Sequence, residues 1–86
     1  MPLTFDVVTS KGLAAHEEGL DRVVVRRREA DFVPGSEFAI CAHHGPLLMQ
    51  TQACALRLVR GGHTETRDVE CGVLEVLDDR ITLVIT

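Results

Sequence analysis

The chain has 86 residues, 45% hydrophobic and 26% charged, a balance that suits one small folded domain and leaves no room for a second core. Aromatic residues make up only 3%, three Phe with no Trp or Tyr, which disfavours paratope-like or base-stacking surfaces and leaves the core to Val, Leu, Ile and Ala. Nine Lys and Arg against thirteen Asp and Glu give a formal charge of -4, so there is no overall positive field to attract nucleic acid.

The first segment, Leu3 to Thr9, sets apolar residues 3, 5 and 7 against polar 4 and 6, the period-2 signature of a half-buried strand. Ser10-Lys11-Gly12 supplies a turn, and a second run passes through Ala14 and His16 to Gly19. Leu20 to Val25 is β-branched enough to predict a third strand. Arg26 to Asp31 is a charged excursion, and Pro34-Gly35 marks another turn. Phe38 to Cys41 is a short apolar run ended by Gly45-Pro46, after which Leu47-Leu48-Met49 resumes it. Ala53 to Arg60 leads into Gly61-Gly62, a strong hairpin signal, and then into Thr64 to Val69. Val73 to Val76 and Ile81 to Ile85 flank a tight turn at Asp78-Asp79.

Eight to ten short strands with frequent turn signals predict an all-β sandwich or barrel in a single domain over residues 1–86. No window keeps a helical period for three turns, and Val23-Val24-Val25 loses side-chain freedom in a helix. No apolar run approaches the roughly 20 residues that span a bilayer, and the start Met1-Pro2-Leu3-Thr4-Phe5-Asp6 does not read as a signal peptide. The expectation is a soluble, cytoplasmic domain. Cys41, Cys54 and Cys71 are odd in number and widely spaced, which suits reduced thiols better than a secreted disulfide framework.

Thiolate and imidazole are the preferred zinc ligands, which draws attention to Cys41-x-His43-His44 with Cys54, His63 and Cys71. Paired spacings of the Cys-x2-Cys or His-x3-His kind are absent, and adjacent His43 and His44 would face opposite sides of a strand. Buried thiols and loop imidazoles are the simpler reading, so no metal is assigned. A nucleophilic Cys41 or Cys71 would need a positioned base and a third group, and apolar Ile40 and Val73 beside them suggest ordinary core packing. Gly61-Gly62 lacks the Gly-x4-Gly-Lys-Ser/Thr pattern of a phosphate loop, so neither a catalytic residue nor a cofactor is assigned. Arg22 with Arg26-Arg27-Arg28 could grip an acidic partner, but Glu29 and Asp31 partly neutralise it.

Two segments carry a family resemblance. Ser36-Glu37-Phe38-Ala39-Ile40-Cys41-Ala42-His43-His44-Gly45-Pro46-Leu47-Leu48 resembles the Gly-Glu-x-Gly-Ile-x-Pro-Gly-His-Ala-Pro-Leu-Leu signature of the ε subunit of rotary ATP synthases. Some twenty residues later, Val69-Glu70-Cys71-Gly72-Val73-Leu74-Glu75-Val76 is similar to that family's Val-Ser-Gly-Gly-x-Leu-Glu-Val. The segments Leu3 to Thr9 and Arg80 to Val84 look like its first and last strands, so the resemblance covers nearly the whole chain in order. Ala42 stands where the family has Pro, His43 and Cys71 stand at Gly positions, and the Arg26 to Pro34 loop is longer. A Cβ at a turn Gly costs free energy wherever φ must be positive.

The resemblance implies the amino-terminal part of that subunit alone, a flattened ten-stranded β-sandwich or barrel, without the carboxy-terminal pair of helices. It implies a non-catalytic part of the central stalk that joins the γ subunit to the membrane-embedded c ring, peripheral to the inner or plasma membrane on the cytoplasmic side. Proton- or sodium-driven rotation would pass through it. Residue by residue, Glu37 and His44 match positions on the c-ring side and Met49 one close to γ; Gly72 and Glu75 match structural positions in the last strands. His44 has a second reading, in which its ring only fastens the Gly45-Pro46 turn by a backbone hydrogen bond. The alternative function is a stand-alone β-sandwich that binds a protein or a metal through the His43-His44 loop.

Overall fold

Alternation of apolar and polar side chains draws the chain into strands and turns in the computed structural model, which describes residues 2–26 and 37–85, with the side chain of Cys54 left out. The strands are β1 (Leu3–Thr9), β2 (Gly12–Leu20), β3 (Arg22–Arg26), β4 (Glu37–Cys41), β5 (Leu47–Thr51), β6 (Cys54–Arg60), β7 (His63–Val69), β8 (Gly72–Leu77) and β9 (Arg80–Ile85). Among the described residues there is no helix, and thus none long and apolar enough to cross a membrane. The fold is all-β. Nine strands are formed among the described residues, against the ten that the resemblance implies. The Arg27-Arg28 part of the basic run, Glu29, Asp31 and the Pro34-Gly35 turn lie outside the described residues.

Two sheets divide these strands, one of five in the order β2-β1-β9-β8-β5 and one of four in the order β4-β3-β6-β7. Neighbouring strands are antiparallel except β1 and β9, which run parallel with Phe5 opposite Ile81 and Val7 opposite Leu83. One aliphatic cluster joins the layers: Leu3, Phe5, Leu20, Leu74, Val76, Ile81 and Leu83 from the five-stranded sheet meet Val23, Val25, Ile40, Leu56 and Leu58 from the other. Burying each Leu or Ile stabilises the fold by roughly 1.5–3 kcal/mol, so this cluster is the main favourable contribution in a chain poor in aromatics.

The predicted strand over Leu20 to Val25 is divided. Leu20 ends β2, and β3 begins at Arg22, with Asp21 as the bend where the chain leaves one sheet for the other. Gly19 takes φ +70° just before the bend. The Asp21 N–H donates to the Val59 carbonyl at 2.8 Å, and its carboxylate accepts the Gly61 N–H at 2.8 Å. A single aspartate therefore pins the crossover to the β6–β7 hairpin. That hairpin turns through Gly61 and Gly62 at φ +54° and +82°, the left-handed pair of a two-residue turn. Asp78 and Asp79 adopt the same kind of turn at φ +50° and +61°.

Gly72 is fixed by packing instead. A Cβ there would stand 2.2 Å from the carbonyl oxygen of Val84 on β9, a backbone group that cannot move aside cheaply. Gly72→Ala should destabilise the protein by about 2 kcal/mol through forced strand separation, measured as a lower urea midpoint. Gly45→Ala, where nothing lies within 4 Å, should be close to neutral in the same measurement.

Candidate partner-binding surface

The two motif segments, distant in sequence, lie side by side. β5 pairs with β8 so that Leu47 faces Val76, Leu48 faces Glu75 and Met49 faces Leu74. Side chains alternate across this pair. Leu74 and Val76 are buried, and Leu47 and Met49 pack on the core from the same side. Leu48 points the other way and is 69% exposed. With Pro46, Glu75 and Leu77 it borders a shallow cleft of about 300 Å³. Met49, the residue that the resemblance sets against γ, packs partly buried against the core, and its neighbour Leu48 is the exposed one. The period-2 pattern of 47 to 51 carried that signal, since 48 and 50 must face away from 47 and 49.

Glu37 and His44 meet different partners. Glu37 begins β4, and His44 lies in the turn that follows this strand. Glu37 is on the outer face of the four-stranded sheet, in an ion pair with Arg57 at 2.7 Å. The His44 ring contacts Phe38 edge-on, with centroids 5.8 Å apart, and Phe38 packs on the core. Its Nδ1 lies 2.7 Å from the Gly45 carbonyl, the turn-fastening bond that a donor N–H at this position would make.

His43 and His44 sit in the turn after β4 and not on a strand. Their rings therefore do not split across two sheet faces; each meets a different partner. The His43 N–H donates to the Asp79 carboxylate at 2.6 Å, and its Nδ1 stands 3.9 Å from the other carboxylate oxygen. The Asp79 carbonyl accepts the Thr4 N–H at 3.0 Å. Asp78-Asp79, read from sequence as a plain acidic turn, thus ties the motif loop to the start of β1. His43 pays for its place with φ +65°, at the position where the similar family has Gly.

Cys41 and Cys71 are exposed, which corrects the expectation of buried thiols. Ile40 takes the inward place on β4, and alternation sends Cys41 outward; Cys71 lies in the bend before β8. The Cys54 side chain is outside the described residues. Among the described residues no three His, Cys, Asp or Glu side chains gather as a metal site.

Sequence reasoning missed an ionic clasp between the sheets. Glu17 on β2 accepts from Arg60 on β6 at 3.1 Å and from Arg67 on β7 at 2.6 Å. Arg60 also donates to the Glu18 carbonyl through Nε at 3.2 Å and Nη2 at 2.9 Å. These partners lie 42 to 50 residues apart, beyond any local pattern.

A second polar contact crosses β1 and β2, where His16 hydrogen-bonds Asp6 and lies 3.7 Å from Glu18. The hydrogen bond to Asp6 is the main cause that raises His16 above the ordinary imidazole value of 6.5; desolvation opposes it, and the charges of Asp6 and Glu18 add to it. No protein-family model matches the chain, and no curated protein matches its sequence.

Two outcomes follow from this geometry. The His16 ring should titrate above 6.5 in an NMR pH series, and Asp6→Asn should bring its midpoint down. Because the folded value is raised, the contribution to stability is complete below pH 6.5 and is lost as pH rises through the folded midpoint. His43→Gly should raise stability by about 1 kcal/mol by relieving the left-handed backbone, seen as a higher urea midpoint.

Proposed function

We propose that the chain is a non-catalytic, ε-like subunit of the central stalk of a rotary ATP synthase, joining γ to the c ring in proton- or sodium-driven ATP synthesis. The observation that carries the reading is a match between motif and backbone. Two of the positions where the similar signature has Gly are positions where this backbone penalises a side chain. Gly72 has no space for a Cβ against Val84, and His43 holds a positive φ. Periodicity alone would not put Gly at either place. At the other Gly positions of the two segments, Ala39 and Cys71 are not among the residues of positive φ, and Ser36 lies outside the described residues.

The two-sheet architecture and the pairing of β5 with β8 suit this reading, and the ten-stranded flattened sandwich is the fold type we assign with it. The subunit would sit on the cytoplasmic side, peripheral to the membrane, with catalysis left to other subunits. We assign the γ contact to Leu48 and its surroundings, since Met49 faces inward. Glu37 and His44, with the turn that carries His44, are the c-ring candidates we keep. A stand-alone protein-binding module is the second reading, favoured by the exposed leucines Leu13, Leu48 and Leu77. Its metal-binding version has no support from the separate partners of His43 and His44.

The test is co-purification. The chain should co-elute with the γ subunit of the same organism in size-exclusion chromatography and should not hydrolyse ATP by itself. Failure to bind γ, or hydrolysis by the pure domain, overturns the stalk reading.

A further inference from the structure

An open sheet edge is a template for another strand, and folds blunt such edges with Pro, Lys, bulges or short strands. β7 has none of these devices. It runs for seven residues and pairs with β6 in unbroken register from Cys54–Val69 to Arg60–His63. Among the described residues no strand lies on its other side. β2, the other long edge strand, is interrupted by two register shifts against β1, while β4 and β5 have five residues each.

The backbone of β7 is set for pairing. The Val59 carbonyl turns away from this strand to accept the Asp21 N–H, so Val59 and Thr64, which stand opposite each other, form a pair without mutual backbone bonds. By alternation Thr64, Thr66 and Asp68 aim their N–H and C=O groups at the open edge.

The side chains of β7 suit a second copy of the same strand. In a two-fold antiparallel pair centred on Thr66, Glu65 stands opposite the second copy's Arg67, Arg67 opposite its Glu65, Thr64 opposite its Asp68 and His63 opposite its Val69. The whole strand is then paired. Moving the axis by one residue sets Glu65 against Glu65 or Arg67 against Arg67, and like charges directly opposite destabilise a sheet. Charge thus singles out one register. Glu65 uses Oε1 for Arg60 and Arg67 uses Nη2 for Glu17, which leaves Oε2 and the other guanidinium N–H groups for a pair across the seam. Of the charged groups nearby, Glu17 and Arg60 bond each other, Glu18 turns its carboxylate to His16, and Glu70 lies past the paired residues.

We infer that the chain associates with a second copy of itself through β7, joining two four-stranded sheets into one continuous sheet about a two-fold axis at Thr66. The interface is isologous, so each contact occurs twice. One strand from each copy is a small interface, which makes the dimer transient and dependent on concentration. β7 lies in the other sheet from Leu48, and association through it does not depend on the stalk reading.

Sedimentation velocity of the whole chain at low salt, loaded up to about 1 mM so that a weak dimer is populated, tests this with variants whose melting curves are checked first. The native chain should show a monomer–dimer equilibrium. Glu65→Arg and Arg67→Glu should each weaken it about tenfold or more, because both symmetric pairs become like-charged at once. An equal mixture of these two variants should dimerise again, since each then faces the opposite charge. Thr66→Pro removes an outward N–H and spares the bonds to β6; it should stay monomeric, and it keeps the test alive if a charge variant does not fold. A native chain that is monomeric throughout overturns the association. A dimer that survives Thr66→Pro, or a variant mixture that stays monomeric, overturns the pairing through β7. Co-elution with γ is read separately, so none of these results decides the stalk reading.

Discussion

Burial of aliphatic side chains between two sheets is the constraint on which the rest of this structure depends. Phe5 is the one fully buried ring among the described residues, and the rest of the interior comes from many Leu, Val and Ile contacts that each contribute a little. Such a core needs both layers in register at once. It therefore dictates which side of every strand faces inward, and by elimination which residues remain for solvent or a partner. The positions of Leu48 and Met49, adjacent in sequence and opposite in direction, follow from that requirement.

Turns and crossovers are subordinate to the core, yet they are held by specific polar groups. Asp21 fastens the passage between sheets to the hairpin at Gly61. Asp79 binds the motif loop through His43 and the first strand through Thr4. Glu17 draws Arg60 and Arg67 across the gap between layers. Each carboxylate accepts from an element far away in the chain, where the closed core has already brought donor and acceptor together. Their net contribution is modest at partly exposed sites. Their effect is to choose one arrangement of loops among several that the core would allow.

Function, in this reading, is a matter of surface asymmetry. Both sheets bury one face, but among the described residues only the five-stranded sheet carries large exposed apolar groups. Packing density in such a core resists deformation, and the turns at Gly61-Gly62 and Asp78-Asp79 join their strands through two left-handed residues each.

Strand content, hairpin positions and the all-β class were legible in the residues because each is local. Period-2 alternation declares a strand, Gly61-Gly62 declares a left-handed turn, and Gly45-Pro46 ends a run. The break at Asp21 was not legible, since Leu20 and Arg22 read as one β-branched stretch until the core requires the chain to change layers. Exposure of Cys41 was hidden for a related reason, since its apolar neighbour Ile40 sits on the opposite face of the strand, and Cys71 is exposed because it lies in the bend before β8. The bridging by Glu17 depends on which strands become neighbours. The sequence by itself therefore determined the alphabet of strands and turns. Strand order, which no local pattern encodes, decided the faces and the ion pairs across the sheets, because pairing between distant strands is set by the shared core and not by the segments it joins.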